Sequence, residues 1–502
     1  MTALQRSSCF LPPLRQLSRS SRLLAKTQMR PLTLDALNQQ LQTVQYAVRG
    51  ELAIKAEVLR DQLKTGGTDL PFDKVISSNI GNPQQKGLDQ PPITFTRQVA
   101  ALTEYPALAT LAPNAFPEDV VARAQELLED IGSIGAYSHS QGVPLIRKSV
   151  AAYIEARDGH PSSPADLFLT AGASAGVSLL INMLITAPNS GILIPIPQYP
   201  LYTAALAQHH GTPVPYYLDE EAGWATSVPS IIDAIKKARA EGVEVKALVI
   251  INPGNPTGGV LDAPTMEKVV KVCEEESLVL LADEVYQDNL HDRANQPFTS
   301  FKKVVRDLQS PVPLVSFHSI SKGVSGECGR RGGYFELVNV SEEVRALVYK
   351  LVSVGLCPPL SGQIGVDSMV RPPKEGEPSY ALWKKETETI HKALASRTNL
   401  MAQRLSALPG VSCVQSPGAL YLFPRITIPA KAIEHAKSLG KEPDAFYAMG
   451  LLEETGICVV PGSGFGQRDG EWHYRLTCLC PGVEEYVGKL EGFHQAFLKK
   501  WA

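Results

Sequence analysis

The sequence has 502 residues, of which 44% are hydrophobic and 20% charged, and its formal net charge is -3. This length exceeds what one compact core of ordinary size holds, so we expect at least two lobes. The charge gives no indication of a nucleic-acid or membrane-surface partner, and no apolar run approaches the roughly 20 residues of a membrane span. None of the eight cysteines shows CxxC spacing, which favours reduced thiols and argues against a zinc or redox site.

The first 33 residues differ in composition from the rest of the chain. They contain no acidic residue and are rich in serine and arginine, and Arg15, Arg19 and Arg22 follow one another at helical spacing among leucines. This composition is typical of an organellar transit peptide. We predict a mitochondrial presequence over residues 1–33. A chloroplast transit peptide and a basic tail on a cytoplasmic protein are the alternatives.

The chain beyond this segment begins with helical periodicity over residues 34–63, which is interrupted at 49–51. Residues 75–83 then indicate a short strand entering a turn. A second turn at 137–142 leads into a helix from Pro144 to Ala156, because proline fits the first turn of a helix.

Strands and helices alternate from about Asp166 onwards. The predicted strands are 167–170, 191–194, 246–251, 278–282, 313–315 and 333–338, and the predicted helices are 172–186 and 266–276. These strands are largely apolar rather than alternating, which indicates a mostly parallel sheet with helices on both faces. Past Leu360 the chain turns to helices and weak strands, which predicts a second, smaller lobe.

The stretch from Ser316 to Tyr334 carries the most informative motif. Lys322 follows an apolar run, lies among serines, and precedes a segment that holds several glycines and two arginines. A lysine amine in this position can condense with an aldehyde, and serines with an arginine can hold a phosphate. The pattern predicts attachment of pyridoxal 5'-phosphate (PLP). The alternative is a solvated lysine in a glycine-rich turn.

Two further groups are predicted beyond the carboxyl ends of strands, where ligands of open α/β sheets bind. Ala173 and Ser174 begin a helix whose free backbone N–H groups suit a phosphate. Asn255 stands between prolines in Asn-Pro-Gly-Asn-Pro, which fixes its backbone, so that its amide can donate to a phenolate oxygen. An ordinary helix start and a plain Pro/Gly-rich turn are the alternatives.

Two charged side chains complete this group. Asp283 follows an apolar strand directly, so its carboxylate must be paired or protonated. A pyridinium nitrogen is a fitting partner, and Tyr286 is close enough in sequence to reach the phenolic oxygen of the same ring. Arg475 lies on an alternating strand over 471–478 and offers a planar clamp for a substrate carboxylate. A helix-capping aspartate and an exposed strand arginine are the alternatives.

With these residues in this order, the chain resembles the fold type I PLP-dependent aminotransferases from about Leu34 to the C-terminus. The shared motifs are Asn-Pro-x-Asn-Pro-Thr-Gly, Asp-x-x-Tyr and Ser-x-Ser-Lys. The segments Tyr-Ser-His-Ser-Gln-Gly and Pro-Gln-Tyr-Pro-Leu-Tyr resemble the alanine aminotransferase subfamily. The resemblance implies an N-terminal arm over 34–95, a large α/β domain over 96–365 with a mixed, mostly parallel sheet, and a small α+β domain over 366–502.

The resemblance also implies roles for the residues around the cofactor ring. Lys322 is the imine lysine and then the base that carries a proton. Asp283 pairs with the ring nitrogen, and Asn255 and Tyr286 hold the ring oxygen. Tyr199 stacks on the ring face.

A second set of implied roles concerns the phosphate and the substrate. Ser319, Arg331 and the backbone of Ala173 and Ser174 hold the phosphate. Tyr137 reaches the phosphate of the neighbouring subunit, so the active unit is expected to be a homodimer.

The resemblance further implies that Arg475, together with Asn255 and Tyr199, binds the substrate, and no metal is expected. The residue before Arg331 is usually aromatic in the subfamily but is Arg330 here, which leaves two arginines as candidates for the phosphate. Arg-Gly-Gly-Tyr aligns without a gap, which favours Arg331.

The implied reaction transfers an amino group from L-alanine to 2-oxoglutarate, giving pyruvate and L-glutamate with ping-pong kinetics. A glutamate–glyoxylate aminotransferase is the nearest alternative, although Lys499–Ala502 does not resemble a peroxisomal signal. A PLP-dependent lyase or synthase of the same fold is a second alternative. A transcription regulator with an aminotransferase-like domain is a third, but the basic N-terminus is too short for a DNA-binding module.

Overall fold

The computed structural model describes residues 32–38, 41, 44, 50–66 and 69–502. The predicted presequence over 1–33 therefore lies outside the described residues except for its last two positions. The described residues of 34–49 include a 3-10 turn at Leu34–Ala36. No helix in the described part of the chain is long and apolar enough to span a membrane.

The described residues form sixteen α-helices. They are α1 Glu51–Lys64, α2 Thr94–Glu104, α3 Leu108–Leu111, α4 Glu118–Ile131, α5 Pro144–Asp158, α6 Ala173–Leu184, α7 Leu201–Gln208, α8 Val228–Ala240, α9 Ala263–Glu275, α10 Phe301–Asp307, α11 Glu342–Val354, α12 Leu360–Val370, α13 Tyr380–Ser406, α14 Ala430–Ser438, α15 Pro443–Thr455 and α16 Val483–Trp501. Proline occupies the first turn of α5, α8, α9 and α15, where its missing N–H costs no helical hydrogen bond.

Within the same described residues there are fourteen β-strands. They are β1 Ile76–Ser77, β2 Leu167–Thr170, β3 Ser190–Ile196, β4 Thr212–Tyr217, β5 Glu244–Ile251, β6 Val279–Asp283, β7 Leu314–Ser319, β8 Gly333–Val338, β9 Val411–Ser412, β10 Tyr421–Leu422, β11 Arg425–Ile426, β12 Ile457–Cys458, β13 Val460–Pro461 and β14 Tyr474–Thr477.

Seven of these strands form the central sheet, in the order β2-β8-β7-β6-β5-β3-β4. All neighbours are parallel except β8, which runs antiparallel to both β2 and β7. The predicted strands and the mostly parallel sheet are therefore confirmed. Every residue of β7 and β8 is buried, including the polar His318 and Glu336, as expected for strands that are covered on both faces.

Helices cover both faces of this sheet. On one face, Ile231, Met266 and Phe301 from α8, α9 and α10 pack against the sheet. On the other face, Val177 and Val348 from α6 and α11 pack in a second core with side chains of α7. Burial of each such side chain contributes roughly 1.5–3 kcal/mol. Because both faces are covered, the carboxyl edge of the sheet is the part that remains open to ligands.

The C-terminal part of the chain forms small sheets and a separate apolar core. The strands β10, β14 and β13 form one antiparallel sheet in that order. Leu52 of α1 packs in the same core as Leu394 of α13, Tyr447 of α15 and Leu490 of α16, and β1 pairs in parallel with β12. The N-terminal arm thus contacts the C-terminal helices, while the domain boundaries at 95 and 365 stay a prediction.

The structure departs from the predicted elements at one strand of the site. The prediction of a strand over 471–478 is too long, because β14 covers only Tyr474–Thr477. Gly470 has a φ of 82° in the turn before it. Residues 471–472 then continue a loop, and His473 makes only an isolated bridge to Arg425.

Candidate active site

The candidate site lies where three adjacent parallel strands end. Asp283 is the last residue of β6, and Asn255 lies four residues beyond the end of β5. Ser319 is the last residue of β7, and Lys322 follows in the next turn. Because β7, β6 and β5 are neighbours in the sheet, these side chains converge at one edge.

They open into a cavity of about 430 Å³. Ten of the eleven predicted site residues line it, namely Ala173, Ser174, Tyr199, Asn255, Asp283, Tyr286, Ser319, Lys322, Arg331 and Arg475. The cavity is also lined by Ile80, Gly81, Asn82, Leu201, Ile251, Val285, Ser321, Cys328 and Tyr421. Tyr137 is the exception: its side chain is 79% exposed and lies outside the cavity of its own chain.

Lys322 is held against the N-terminal arm. Its Nζ donates a hydrogen bond to the backbone oxygen of Gly81 and lies 6.0 Å from the centroid of the Tyr286 ring. The turn that carries it is fixed by Ser319, whose Oγ donates to the Gly332 oxygen at 2.9 Å and accepts from the Ser321 N–H at 3.1 Å. The amine therefore points into the cavity from a rigid turn.

Asp283 is a buried carboxylate at the same edge of the sheet. Its Oδ2 accepts a hydrogen bond of 2.8 Å from the Tyr202 hydroxyl. Burial raises the pKa of Asp283 to about 6, against the opposing effects of the Tyr202 hydrogen bond, the Val285 N–H and the Lys322 charge. No basic side chain of the described residues lies within 4.0 Å of this carboxylate. A cationic ring nitrogen in the cavity would stabilise its charged form.

Arg475 is a buried cation without a carboxylate partner among the residues that the structure describes. Its side chain is 1% exposed. Nη1 donates to Asn255 Oδ1 at 2.9 Å and Nη2 to the Asn79 oxygen at 2.5 Å, while Nε has no partner in the described chain. A buried guanidinium of this kind is stabilised when an anion binds beside it.

The amino end of α6 and Arg331 form one side of the cavity. Nη2 of Arg331 donates to the Ala171 oxygen at 2.9 Å and lies 3.4 Å from Ser174 Oγ. No partner within the described residues accepts the backbone N–H of Ala173 or Ser174. A helix start with free N–H groups and an adjacent guanidinium suits a phosphate.

The neighbouring arginine points elsewhere. Nε of Arg330 lies 3.1 Å from Glu327 Oε2, and Arg330 does not line the cavity. Arg331 instead takes a left-handed backbone with a φ of 56°, so two successive arginines point in different directions. The geometry brings Arg331, rather than Arg330, to the cavity.

Several residues of this site were not predicted. Tyr202 lies in the Pro-Gln-Tyr-Pro-Leu-Tyr segment, and its position three residues after Tyr199 is the signal that could have identified it. Gly81 lies in the turn predicted over 75–83. A Cβ at this position would overlap Tyr421 Oη and lie 2.9 Å from Lys322 Nζ. Tyr421 comes from the two-residue strand β10 and carries no sequence signal.

Comparisons with known proteins agree with this geometry. The family model "Aminotransferase class I and II" matches residues 107–490. A relative from Dictyostelium discoideum, "Probable alanine aminotransferase, mitochondrial", is 50% identical and covers 95% of this chain and 91% of its own length. "Alanine aminotransferase, mitochondrial" from Saccharomyces cerevisiae is 47% identical over 94% of this chain and 81% of its own length.

Two further comparisons bear on fold and activity. A solved alanine aminotransferase from Pyrococcus furiosus has a TM-score of 0.71 at 26% identity and covers 92% of this chain and 100% of its own. A second Saccharomyces cerevisiae relative, 44% identical over 94% of this chain and 95% of its own length, is named "Inactive alanine aminotransferase". The family model alone spans most of the chain. This chain belongs to the class I and II aminotransferases.

Proposed function

We propose that the protein is a PLP-dependent alanine aminotransferase that converts L-alanine and 2-oxoglutarate to pyruvate and L-glutamate. The observation that supports this most directly is the meeting of Lys322, Asp283 and Arg475 at one cavity. The 50% identical relative from Dictyostelium discoideum and the 47% identical relative from Saccharomyces cerevisiae carry this activity in their names.

The groups around the cavity fit PLP by their chemistry. Bound PLP supplies an aldehyde that accepts the amino group and a protonated ring that withdraws electrons from the substrate. The buried Asp283 carboxylate, whose pKa is raised by burial, would hold the ring nitrogen. Asn255 Nδ2 and the Tyr286 hydroxyl, which lie 3.4 Å apart, would donate to the ring oxygen, and Tyr199 would stack on the ring.

The phosphate would occupy the opposite end of the site. The free N–H groups of Ala173 and Ser174 would donate to it, with the guanidinium of Arg331 beside them and the Ser319 hydroxyl on the other side. Arg331 is proposed for this role in preference to Arg330, since Arg330 is paired with Glu327.

Two side chains of this chain would act on the substrate. Arg475 would bind the α-carboxylate, which neutralises a guanidinium that has no acidic partner within the described residues. The Nζ of Lys322 would take the proton from the substrate Cα and return a proton to the product. Tyr199 and Asn255 would line the space beside Arg475 in which the substrate binds. The same residues serve both half-reactions, so pyruvate, the product of the first, leaves before 2-oxoglutarate binds for the second.

We also propose a homodimer whose sites are shared. Tyr137 is exposed on its own chain, as a residue that reaches a partner's phosphate must be. Near it, Tyr349 Oη lies 3.4 Å from His139 Nε2. The helix α11 that carries Tyr349 buries only Val348 and leaves apolar side chains such as Leu347 exposed. An apolar helix face beside Tyr137 supports an interface there.

The proposed compartment is the mitochondrion. The arginine- and serine-rich composition of residues 1–33 supports import, as do the two relatives named mitochondrial. Imaging of the full chain with a C-terminal fluorescent tag tests this, with a chain lacking residues 1–33 as control. We expect the full chain in mitochondria and the shortened chain in the cytosol. The full chain in plastids or the cytosol would contradict the proposal.

The reaction is tested by comparing pyruvate, glyoxylate and oxaloacetate as acceptors of the amino group of L-glutamate. We expect pyruvate to give the highest kcat/KM, with L-alanine as product. A preference for glyoxylate would favour the glutamate–glyoxylate alternative. Release of ammonia or a cyclised product would favour a lyase or synthase. PLP binding without turnover would indicate that this chain lacks aminotransferase activity, as the name of its inactive Saccharomyces cerevisiae relative states for that protein.

A further inference from the structure

Tyr421 contacts Tyr286 and Arg475 of the site and has no part in the roles described above. It is buried on β10 and lines the cavity. Its hydroxyl lies 3.0 Å from Tyr286 Oη, and the centroid of its ring lies 4.3 Å from the guanidinium carbon of Arg475. We propose that Tyr421 is a positioning residue whose hydroxyl turns the Tyr286 proton into the cavity and whose ring holds Arg475. This inference rests on the proposed function.

The ring of Tyr421 is half of an aromatic clamp around Arg475. The second half is Phe465, whose ring centroid lies 4.7 Å from the same guanidinium carbon. The strands β10 and β14 pair antiparallel, with Tyr421 opposite Thr477. This register fixes the position of the Tyr421 ring along β14 relative to Arg475. Aromatic faces attract the guanidinium without neutralising it and without occupying its N–H groups. The clamp therefore keeps the cation in place and leaves it able to bind a carboxylate.

The hydroxyl of Tyr421 is the last member of a chain of hydrogen bonds that runs from Arg475 through Asn255 and Tyr286. Because Asn255 Oδ1 accepts from Arg475 Nη1, the amide orientation is fixed and Asn255 Nδ2 faces Tyr286 Oη as a donor at 3.4 Å. A phenol oxygen accepts two hydrogen bonds and donates one. When Tyr421 also donates to Tyr286 Oη, both lone pairs of that oxygen are used. The Tyr286 proton is then directed to an oxygen in the cavity.

Charges near the two phenols decide which of them donates. Burial raises the pKa of both hydroxyls, but in the chain without PLP the Lys322 and Arg475 cations hold the pKa of Tyr421 below its ordinary value, and Arg475 remains beside it when Lys322 binds PLP. The pKa of Tyr286 stays well above it, mainly because of burial. The thiol of Cys328 is the other titratable group that acts on Tyr421, and it opposes the two cations. Asn255 Nδ2 faces Tyr286 Oη as a donor and the Arg475 guanidinium lies against the Tyr421 ring, and this arrangement favours Tyr421 as the donor between the two hydroxyls.

The test compares Tyr421→Phe with Tyr421→Leu in the PLP-loaded enzyme. The readouts are the pH midpoint of the visible absorption change without substrate and the KM values of L-alanine and 2-oxoglutarate. For Tyr421→Phe we expect this pH midpoint to rise by about one unit. Without the Tyr421 hydroxyl, the Tyr286 hydroxyl is less well directed at the negatively charged ring oxygen of PLP. Both KM values should stay within about twofold, since the ring remains over Arg475.

Tyr421→Leu should show the same rise and also raise both KM values about tenfold, because half of the clamp is lost. The matched control is Tyr447→Phe, which removes a buried hydroxyl that bonds His494 Nδ1 at 3.0 Å away from the cavity. It should change neither readout. Should Tyr421→Leu not fold, as judged by its melting temperature, Tyr421→Met provides the same comparison.

An unchanged or lowered midpoint in Tyr421→Phe would overturn the role of the hydroxyl. Equal KM values in Tyr421→Leu and Tyr421→Phe would overturn the role of the ring. A wild-type protein that takes up no PLP is a different result, because it refutes the proposed function and is seen before any Tyr421 variant is measured.

Discussion

Arg475 and Asn255 are joined by a hydrogen bond of 2.9 Å from Nη1 to Oδ1, although they lie on β14 and beyond β5 respectively. This bond connects the candidate carboxylate clamp with the amide that faces the ring oxygen in the proposed site. It also fixes which end of the Asn255 amide is the donor. Substrate binding and cofactor orientation are therefore expected to depend on one another.

Arg475→Leu is expected to raise KM for both L-alanine and 2-oxoglutarate by about a hundredfold, because both carboxylates use one guanidinium. Steady-state kinetics with each substrate varied in turn measure this. The control is Arg425→Leu, which removes a partly exposed arginine that pairs with Glu220 and Glu221 and should change KM by less than about twofold. A rise for only one of the two substrates would show that the clamp is not shared.

Asp283→Asn is expected to stabilise the protein without PLP at neutral pH while impairing the loaded enzyme. Burial raises the pKa of Asp283 from 3.8 to about 6, so the folded state binds more protons than the unfolded state between these values. Stability therefore falls as pH rises through this window, by an amount on the order of 3 kcal/mol. The neutral amide of the variant lacks this penalty but cannot pair with a cationic ring nitrogen.

Urea denaturation between pH 4 and pH 8 measures this difference. The variant should unfold at higher urea than wild type above pH 6, and the two curves should converge near pH 4, where the wild-type carboxyl is protonated. The PLP-loaded variant should lose at least about a hundredfold in kcat. Equal stability at every pH would refute the raised pKa, and wild-type kcat would refute the pairing of Asp283 with the ring.

Gly81→Ala is expected to lower kcat/KM by at least about tenfold. The added Cβ overlaps Tyr421 Oη and lies 2.9 Å from Lys322 Nζ, so one of these side chains must move. The matched control is Gly329→Ala, since a Cβ at Gly329 meets no heavy atom within 4 Å. Kinetics of both variants test this. If Gly81→Ala retains full activity, the contact between the N-terminal arm and the site is not needed for catalysis.

Shared sites predict that two inactive variants rescue each other. Tyr137→Ala and Lys322→Ala subunits, refolded together in equal amounts, form mixed dimers in which one site has both residues intact. Random pairing should restore about a quarter of the wild-type activity. Each variant alone provides the control. No recovery in a verified mixed dimer would show that Tyr137 does not complete the partner's site.

The interface itself is tested by Leu347→Glu. Leu347 is 48% exposed on α11, and a charge there should convert the dimer to a monomer, because an uncompensated carboxylate in an interface must be desolvated. Light scattering measures the mass. Leu439→Glu is the control, since Leu439 is similarly exposed but follows α14 in the C-terminal part. A monomeric wild type, or a dimeric Leu347→Glu variant, would contradict the proposed interface.

The sequence predicted those parts of the site that follow strands directly. Asp283 ends β6, directly after the apolar run that predicted this strand. Lys322 was predicted from the serines and glycines around it, while the role of Ser319, which ends β7, came from the family resemblance. The strand β8 has the predicted bounds of 333–338.

The remainder of the site depends on contacts that are distant in sequence. Gly81 and Lys322 are separated by 241 positions, and Tyr286 and Tyr421 by 135. No local periodicity encodes such contacts, and the two-residue strand β10 is too short to carry a pattern. Tyr137 was predicted from the resemblance alone, and it does not line the cavity of its own chain.

The proposed covalent bond between Lys322 and PLP is tested most directly by reductive trapping. The protein is incubated with PLP, reduced with borohydride, digested, and the modified peptide is identified by mass spectrometry, with Lys322→Ala treated in parallel. We predict a single reduced pyridoxyl group on Lys322 and none in the variant. A label on another lysine, or a wild-type protein that stays colourless and unlabelled, would contradict the proposal that Lys322 binds PLP at this cavity.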